Sequence, residues 1–201
     1  MKSKSLSLVL VLLLSSYLPA AGLQVIKFPA EEVSGTGPLP YNYRVVGGTL
    51  HAGGHPLNPA TSFGNSDEQT LAILNYLKTA SIETVIDLEN TKKIQARYQR
   101  LLNKAGLKRI HIPLNSLKVP NKKEWAVIKA ALKKPAYLHC AWGADRTGMA
   151  IARYLVEEKG FSPDSAYAAV ISGGQCAGPL GGFKKWVSNG YLKSFIYTGP
   201  K

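Results

Sequence analysis

The sequence predicts a single α/β domain, a central, mostly parallel sheet of about four to five strands flanked by helices. Three observations carry that reading. Short apolar runs of strand character, ETVIDL, KRIHIPL and PAYLH, alternate with longer segments of helical periodicity, an order that lays strands in parallel beneath helices on both faces. At 201 residues and 45% apolar content, the chain suits one ordinary domain with its own core. Helix start and stop signals fall where the periodicity changes.

The elements follow in chain order. MKSKSLSLVLVLLLSSYLPAAG has Lys2 and Lys4, an apolar run from Leu6 to Leu14, and small residues at Ala20, Ala21 and Gly22. That pattern is expected of a secretory leader over residues 1–22, cut after Gly22. Residues 23–42 read as an N-terminal arm rich in Gly and Pro, and residues 43–201 as the domain, with a short strand near Tyr43 to Val46. Ser66 and Gln69 make a capping box ahead of Leu71, Leu74 and Leu77 on one helical face. ETVIDL is a buried strand. Asn90 is expected to open a second helix through Ile94, Tyr98, Leu101 and Leu102, closed by Gly106. KRIHIPL is the next strand, and Asn121 with Glu124 caps a helix carrying Trp125, Ile128 and Leu132. PAYLH is a further strand, Thr147 to Lys159 a helix ending at Gly160, and Ser162-Pro163 opens one more.

Between PAYLH and its helix lies HCAWGADRTG, His139 to Gly148. The turn sits at the carboxyl end of a strand, where open α/β sheets bind ligands. Its amides and the helix N-terminus form an anion cradle, with Ala141, Trp142, Gly143 and Ala144 as its lining. A thiol there, Cys140, is favoured as thiolate by the helix end and by Arg146. Arg146 forks onto phosphate oxygens, and Thr147 donates to the sulfur when it leaves. Together these groups describe nucleophilic attack on a phosphoryl group.

His139, Cys140, Arg146 and Thr147 fill the pattern His-Cys, five residues, Arg-Ser/Thr, and the chain here resembles the cysteine-dependent phosphatases, the protein tyrosine and dual-specificity family. The resemblance runs from about Val45 through Gly173 and includes VIDL and HIPL. It implies that family's fold, a cysteinyl-phosphate intermediate and hydrolysis by water without a metal, with His139 packed beneath the loop to order the cysteine. One departure stands out. The family's general-acid Asp would fall in HIPLNSLKVPNKK, where Asn115 and Ser116 occupy its place. Asp145 is the candidate instead, by resemblance to bacterial members carrying DRTG; a role steadying the turn is the alternative. His51, His55 and His111 lack metal-ligand spacing in sequence, so no metal and no cofactor are expected. TLHAGGHP is expected to border the pocket or to be an ordinary turn.

Charge bears on the substrate. The formal net charge is +13, and loss of Lys2 and Lys4 with the leader lowers it by two. Between Thr91 and Lys134 there are thirteen Lys or Arg against one acid, Glu124, with Lys118, Lys122 and Lys123 on the acid-position loop as candidate phosphate-binding residues. The expected substrate is an inositol polyphosphate, in the manner of the tyrosine-phosphatase-like phytases of bacteria, whose insertions and acid Asp this chain lacks. A secreted protein tyrosine or dual-specificity phosphatase acting on a phosphoprotein, and a catalytically inactive phosphate-binding module, are the alternatives. No aromatic-basic interleaving points to nucleic acid, and none is expected as partner. Neither is a stable membrane anchor; a periplasmic or secreted monomer is expected. Cys140 and Cys176, the two cysteines, allow at most one disulfide.

Overall fold

Four strands with apolar cores and helical crossovers set the catalytic half of the molecule: β4 (Leu50–Gly54), β5 (Thr84–Asp87), β6 (Lys108–His111) and β7 (Ala136–Cys140). In the computed structural model, which describes residues 15–17, 23–59, 61–115, 117–170 and 187–201, these pair in parallel in the order β4-β7-β5-β6. An antiparallel meander extends the β4 edge through β3 (Arg44–Val46), β2 (Gln24–Lys27) and β1 (Ser15–Tyr17), giving seven strands in one sheet. The parallel half matches the expected four to five strands. The meander exceeds it, because a four-residue strand inside a Gly- and Pro-rich arm carries no alternation long enough to read. β1 falls within the segment read as a leader, so leader removal would make β2 the sheet edge.

Helices cover both faces. On one side α1 (Asp67–Thr79) and α2 (Gln95–Ala105) bury Ile73, Leu74, Leu77, Tyr98, Leu101 and Leu102 against Val45, Val85 and Tyr137. On the other, α3 (Lys122–Ala131), α4 (Asp145–Lys159), α5 (Pro163–Val170) and α6 (Val187–Thr198) enclose Ile86, Leu138, Trp125, Ile128, Met149, Ile151 and Phe195. Val85 and Ile86 go to opposite cores, as do Tyr137 and Leu138, which is the period-two alternation of strands buried on both faces.

The caps behave as read. Ser66 with Gln69, and Asn121 with Glu124, both form reciprocal capping boxes, and Gly106 and Gly160 end α2 and α4 at φ +68° and +70°. Two starts differ. A 3-10 turn over Lys92–Ile94 with Thr91 as its cap precedes α2, so Asn90 does not open it; the buried Glu89 carboxylate receives the Asn90 and Thr91 amides and fixes a turn there first. α4 begins at Asp145, two residues ahead of Thr147. α6, which lies beyond the last element read from the sequence, buries Leu192, Phe195 and Ile196. The Gly173 end of the family resemblance and Cys176 lie outside the described residues.

Candidate active site

β7 is buried along its whole length and ends at Cys140, which is 2% exposed, at the carboxyl end of the parallel strands. The chain turns through Ala141–Ala144 and enters α4. At α1 and α3 a side chain closes the helix start, but at α4 the N-cap position is Ala144 and makes no side-chain cap bond. The first-turn amides of a fifteen-residue helix are therefore left without the usual cap, at the positive end of its dipole. The turn depends on glycine. Gly143 has φ +68°, and a Cβ there would lie 2.2 Å from the Gly53 carbonyl carbon. GGHP in TLHAGGHP is thus the backbone against which the loop packs.

Arg146 is aimed by three acceptors. Its guanidinium donates to the carbonyls of Leu88 and Leu114, at 3.1 and 2.9 Å, and to Glu89 Oε2 at 2.9 Å. Burial works against the charge, but the Cys140 thiolate and the Glu89 carboxylate outweigh it, and the group is raised above its ordinary value. Glu89 is 2% exposed, and its other oxygen accepts from the Asn90 amide and from the amide and hydroxyl of Thr91. It is a site residue the sequence reading missed. The one available signal was an acid directly following a buried strand at the ligand-binding end of the sheet. Thr147 is fully buried, and its Oγ1 has no hydrogen-bond partner among the described residues, which leaves a hydroxyl donor beside the nucleophile's turn. Asp145 occupies the first position of α4, next to Arg146.

His139 lies beneath the loop, fully buried, with Nε2 at 3.0 Å from the Tyr98 hydroxyl and Nδ1 at 3.7 Å from Asp87 Oδ1. His55 crosses its ring edge-on at 4.8 Å. Burial lowers both imidazoles, His55 well below its ordinary value, so both are neutral near pH 7. The fold thus brings His55, Asp87 and His139 within 4.8 Å of one another, a metal-type donor set that sequence spacing did not show. Asp87 is charge-matched by Arg109 at 2.5 Å, His55 Nδ1 accepts the Leu57 amide, and the facing His55 Nε2 and His139 Nδ1 have no hydrogen-bond partner among the described residues.

The acid-position loop holds no carboxylate before Glu124. Asn115 turns back on itself, accepting the Leu117 amide at 2.8 Å. Ser116 lies outside the described residues. Glu124 is committed to its capping box and to Lys118 Nζ at 2.8 Å. The basic belt is also less free than its count implied. Arg97, Arg100, Arg109, Lys118, Lys129 and Lys133 are in ion pairs, and Lys104, Lys108 and Lys134 lie toward the amino ends of the strands. Lys92, Lys93, Lys122 and Lys123 remain, exposed and without carboxylate partners among the described residues, at the Cys140 end of the sheet. Lys118 of the expected phosphate-binding set is bound to Glu124, and Lys92 and Lys93 lie at the same end of the sheet as Lys122 and Lys123.

A thiol and a guanidinium on one turn at the carboxyl end of a parallel sheet are the arrangement of a class, the cysteine-dependent phosphatases. The family model described as "Tc-R-P: Polymorphic toxin system, DSP-PTPase phosphatase" matches residues 63–160. Among solved structures, TpbA of P. aeruginosa is 18% identical over 76% of this chain and 84% of its own, with a TM-score of 0.55; a TpbA variant in complex with pTyr aligns at 0.54. Tk-PTP in its active form is 16% identical over 74% and 91%, TM-score 0.54, and PTPMT1 in complex with PI(5)P is 18% identical over 74% and 90%, TM-score 0.52. No curated protein sequence matches. The matched stretch, just under half of the chain, carries the Cys140 turn, and the fold is that of the tyrosine and dual-specificity phosphatases.

Proposed function

We propose that this phosphatase removes phosphate from inositol polyphosphates, working in the periplasm or outside the cell. The observation that carries the substrate reading is the set Lys92, Lys93, Lys122 and Lys123, four exposed cations without carboxylate partners among the described residues, at the end of the sheet that holds Cys140. A substrate with several phosphates meets the nucleophile with one and the lysines with others.

In the first step the Cys140 thiolate attacks phosphorus while the loop amides and Arg146 hold the phosphoryl oxygens. The S–P bond forms as the P–O bond to the leaving group breaks, and Asp145 gives its proton to the departing oxygen. In the second, water attacks phosphorus and passes a proton to the Asp145 carboxylate. The S–P bond breaks, its electron pair returns to sulfur, and inorganic phosphate leaves.

A phosphoprotein is the second reading, favoured by the DSP-PTPase description of the family model and by the TpbA complex with pTyr. A phosphate-release panel separates them. Replacing the four lysines with alanine should raise KM for inositol hexakisphosphate by roughly tenfold, at a few tenths of a kcal/mol per exposed charge. KM for an aryl phosphate should stay within about twofold, because Cys140 and Arg146 still hold the scissile group. Parallel changes, or preference for phosphotyrosine peptide, replace the first reading with the second.

A further inference from the structure

We infer that Asn42 and Asn58, both outside the recognition motif and upstream of the matched residues 63–160, are positioning residues that set the phosphate cradle by holding its carbonyls outward. Asn58 Nδ2 donates to the Ala141 carbonyl at 3.0 Å, and the His55 amide donates to the same oxygen at 3.2 Å. Asn42 Nδ2 spans the next two carbonyls, Trp142 at 3.3 Å and Gly143 at 3.4 Å. Three consecutive peptide units are thereby pinned by their oxygens. In a trans peptide the N–H points opposite to the C=O, so the amides of Trp142, Gly143 and Ala144 are turned the other way, toward the anion. None of these three amides donates to a carbonyl among the described residues.

The pins are themselves fixed. Asn58 is fully buried, and its Oδ1 accepts the Thr61 amide at 2.5 Å. Asn42 is 4% exposed with φ +53°, a left-handed conformation that asparagine and glycine accept more readily than other residues. Beside it the Tyr41 ring meets Trp142 edge-on at 5.5 Å, and the Tyr41 carbonyl accepts the Gly54 amide at 2.6 Å. The arm read as ending at residue 42 is therefore part of the catalytic unit, joined to the loop by Asn42.

The test uses two neutral variants in the full chain, Asn58→Leu and Asn42→Gly, the second keeping the backbone conformation while removing the donor. Each should weaken competitive inhibition by inorganic phosphate by roughly tenfold, the scale of one buried hydrogen bond. Each should also lower kcat for an aryl phosphate and slow the alkylation of Cys140 by iodoacetamide. Lower melting temperatures with phosphate inhibition and alkylation rate unchanged would overturn the inference. Because the proposal rests on Cys140 chemistry, wild-type turnover of the aryl phosphate in the same assay distinguishes its failure from failure of that reading.

Discussion

α3 and α4 start at the same end of the same sheet, and they start in opposite ways. α3 is closed by Asn121 and Glu124, each satisfying an amide that the other's segment leaves open. α4 begins at Asp145, and its N-cap Ala144 makes no side-chain cap bond, although a cap there would contribute about 1 kcal/mol. The difference shows where the chain gives up local stability. The open helix start is the one that receives the nucleophile's turn, and its amides are completed by a substrate phosphate. The same contrast explains the acid-position loop. Glu124, the nearest carboxylate there, is spent on closing α3 and on Lys118, whereas Asp145 stands at the start of α4.

The largest expected effect separates the two functions of the open end. Cys140→Ser removes the nucleophile and should abolish turnover by about three orders of magnitude or more. The amides and Arg146 stay in place, so inorganic phosphate should still raise the melting temperature of the variant in a concentration-dependent way. Loss of both turnover and phosphate stabilisation would mean that the open helix start is not the anion site. Chelators should leave wild-type activity unchanged, since thiolate attack and hydrolysis of the cysteinyl phosphate call on no metal.

What the sequence made legible divides along the same line. Residues that act through a fixed local spacing were readable: the two capping boxes, the Gly106 and Gly160 stops, and Cys140 with Arg146 across one turn. Residues that act across the sheet were not. Glu89 reaches Arg146 from 57 positions away, and Asn42 reaches Trp142 from 100. Neither separation leaves a periodic trace, because only the order of strands β4-β7-β5 brings their ends together. The charge belt misled in the same manner. Thirteen basic residues were countable, but their pairing with Asp67, Asp87, Glu157 and Glu158 is set by helix packing, which a count does not contain.

A smaller effect falls on Asp145. If it protonates the leaving oxygen, Asp145→Asn should slow an alkyl phosphomonoester by roughly a hundredfold and an aryl phosphate much less, because a phenolate departs readily without a proton. Equal slowing of the two substrates would assign Asp145 to the turn's structure and leave α4 with an open end but no acid.

The smallest effect belongs to the closed end and serves as the control on the whole contrast. Asn121→Ala removes the oxygen that accepts the Glu124 amide at 2.9 Å and should cost about 1 kcal/mol of stability, readable as a shift in denaturant midpoint at unchanged slope. The exposed Glu124 amide then turns to water, and Glu124 keeps its bond to the Asn121 backbone amide, so the loop ahead of α3 retains half of its closure. KM for an aryl phosphate and inhibition by inorganic phosphate should not move, since neither the Cys140 turn nor Arg146 touches Asn121. If phosphate binding weakened in step with stability, the two helix starts would be coupled through the loop that carries the Leu114 carbonyl to Arg146, and the separation of a structural end from a functional one would fail.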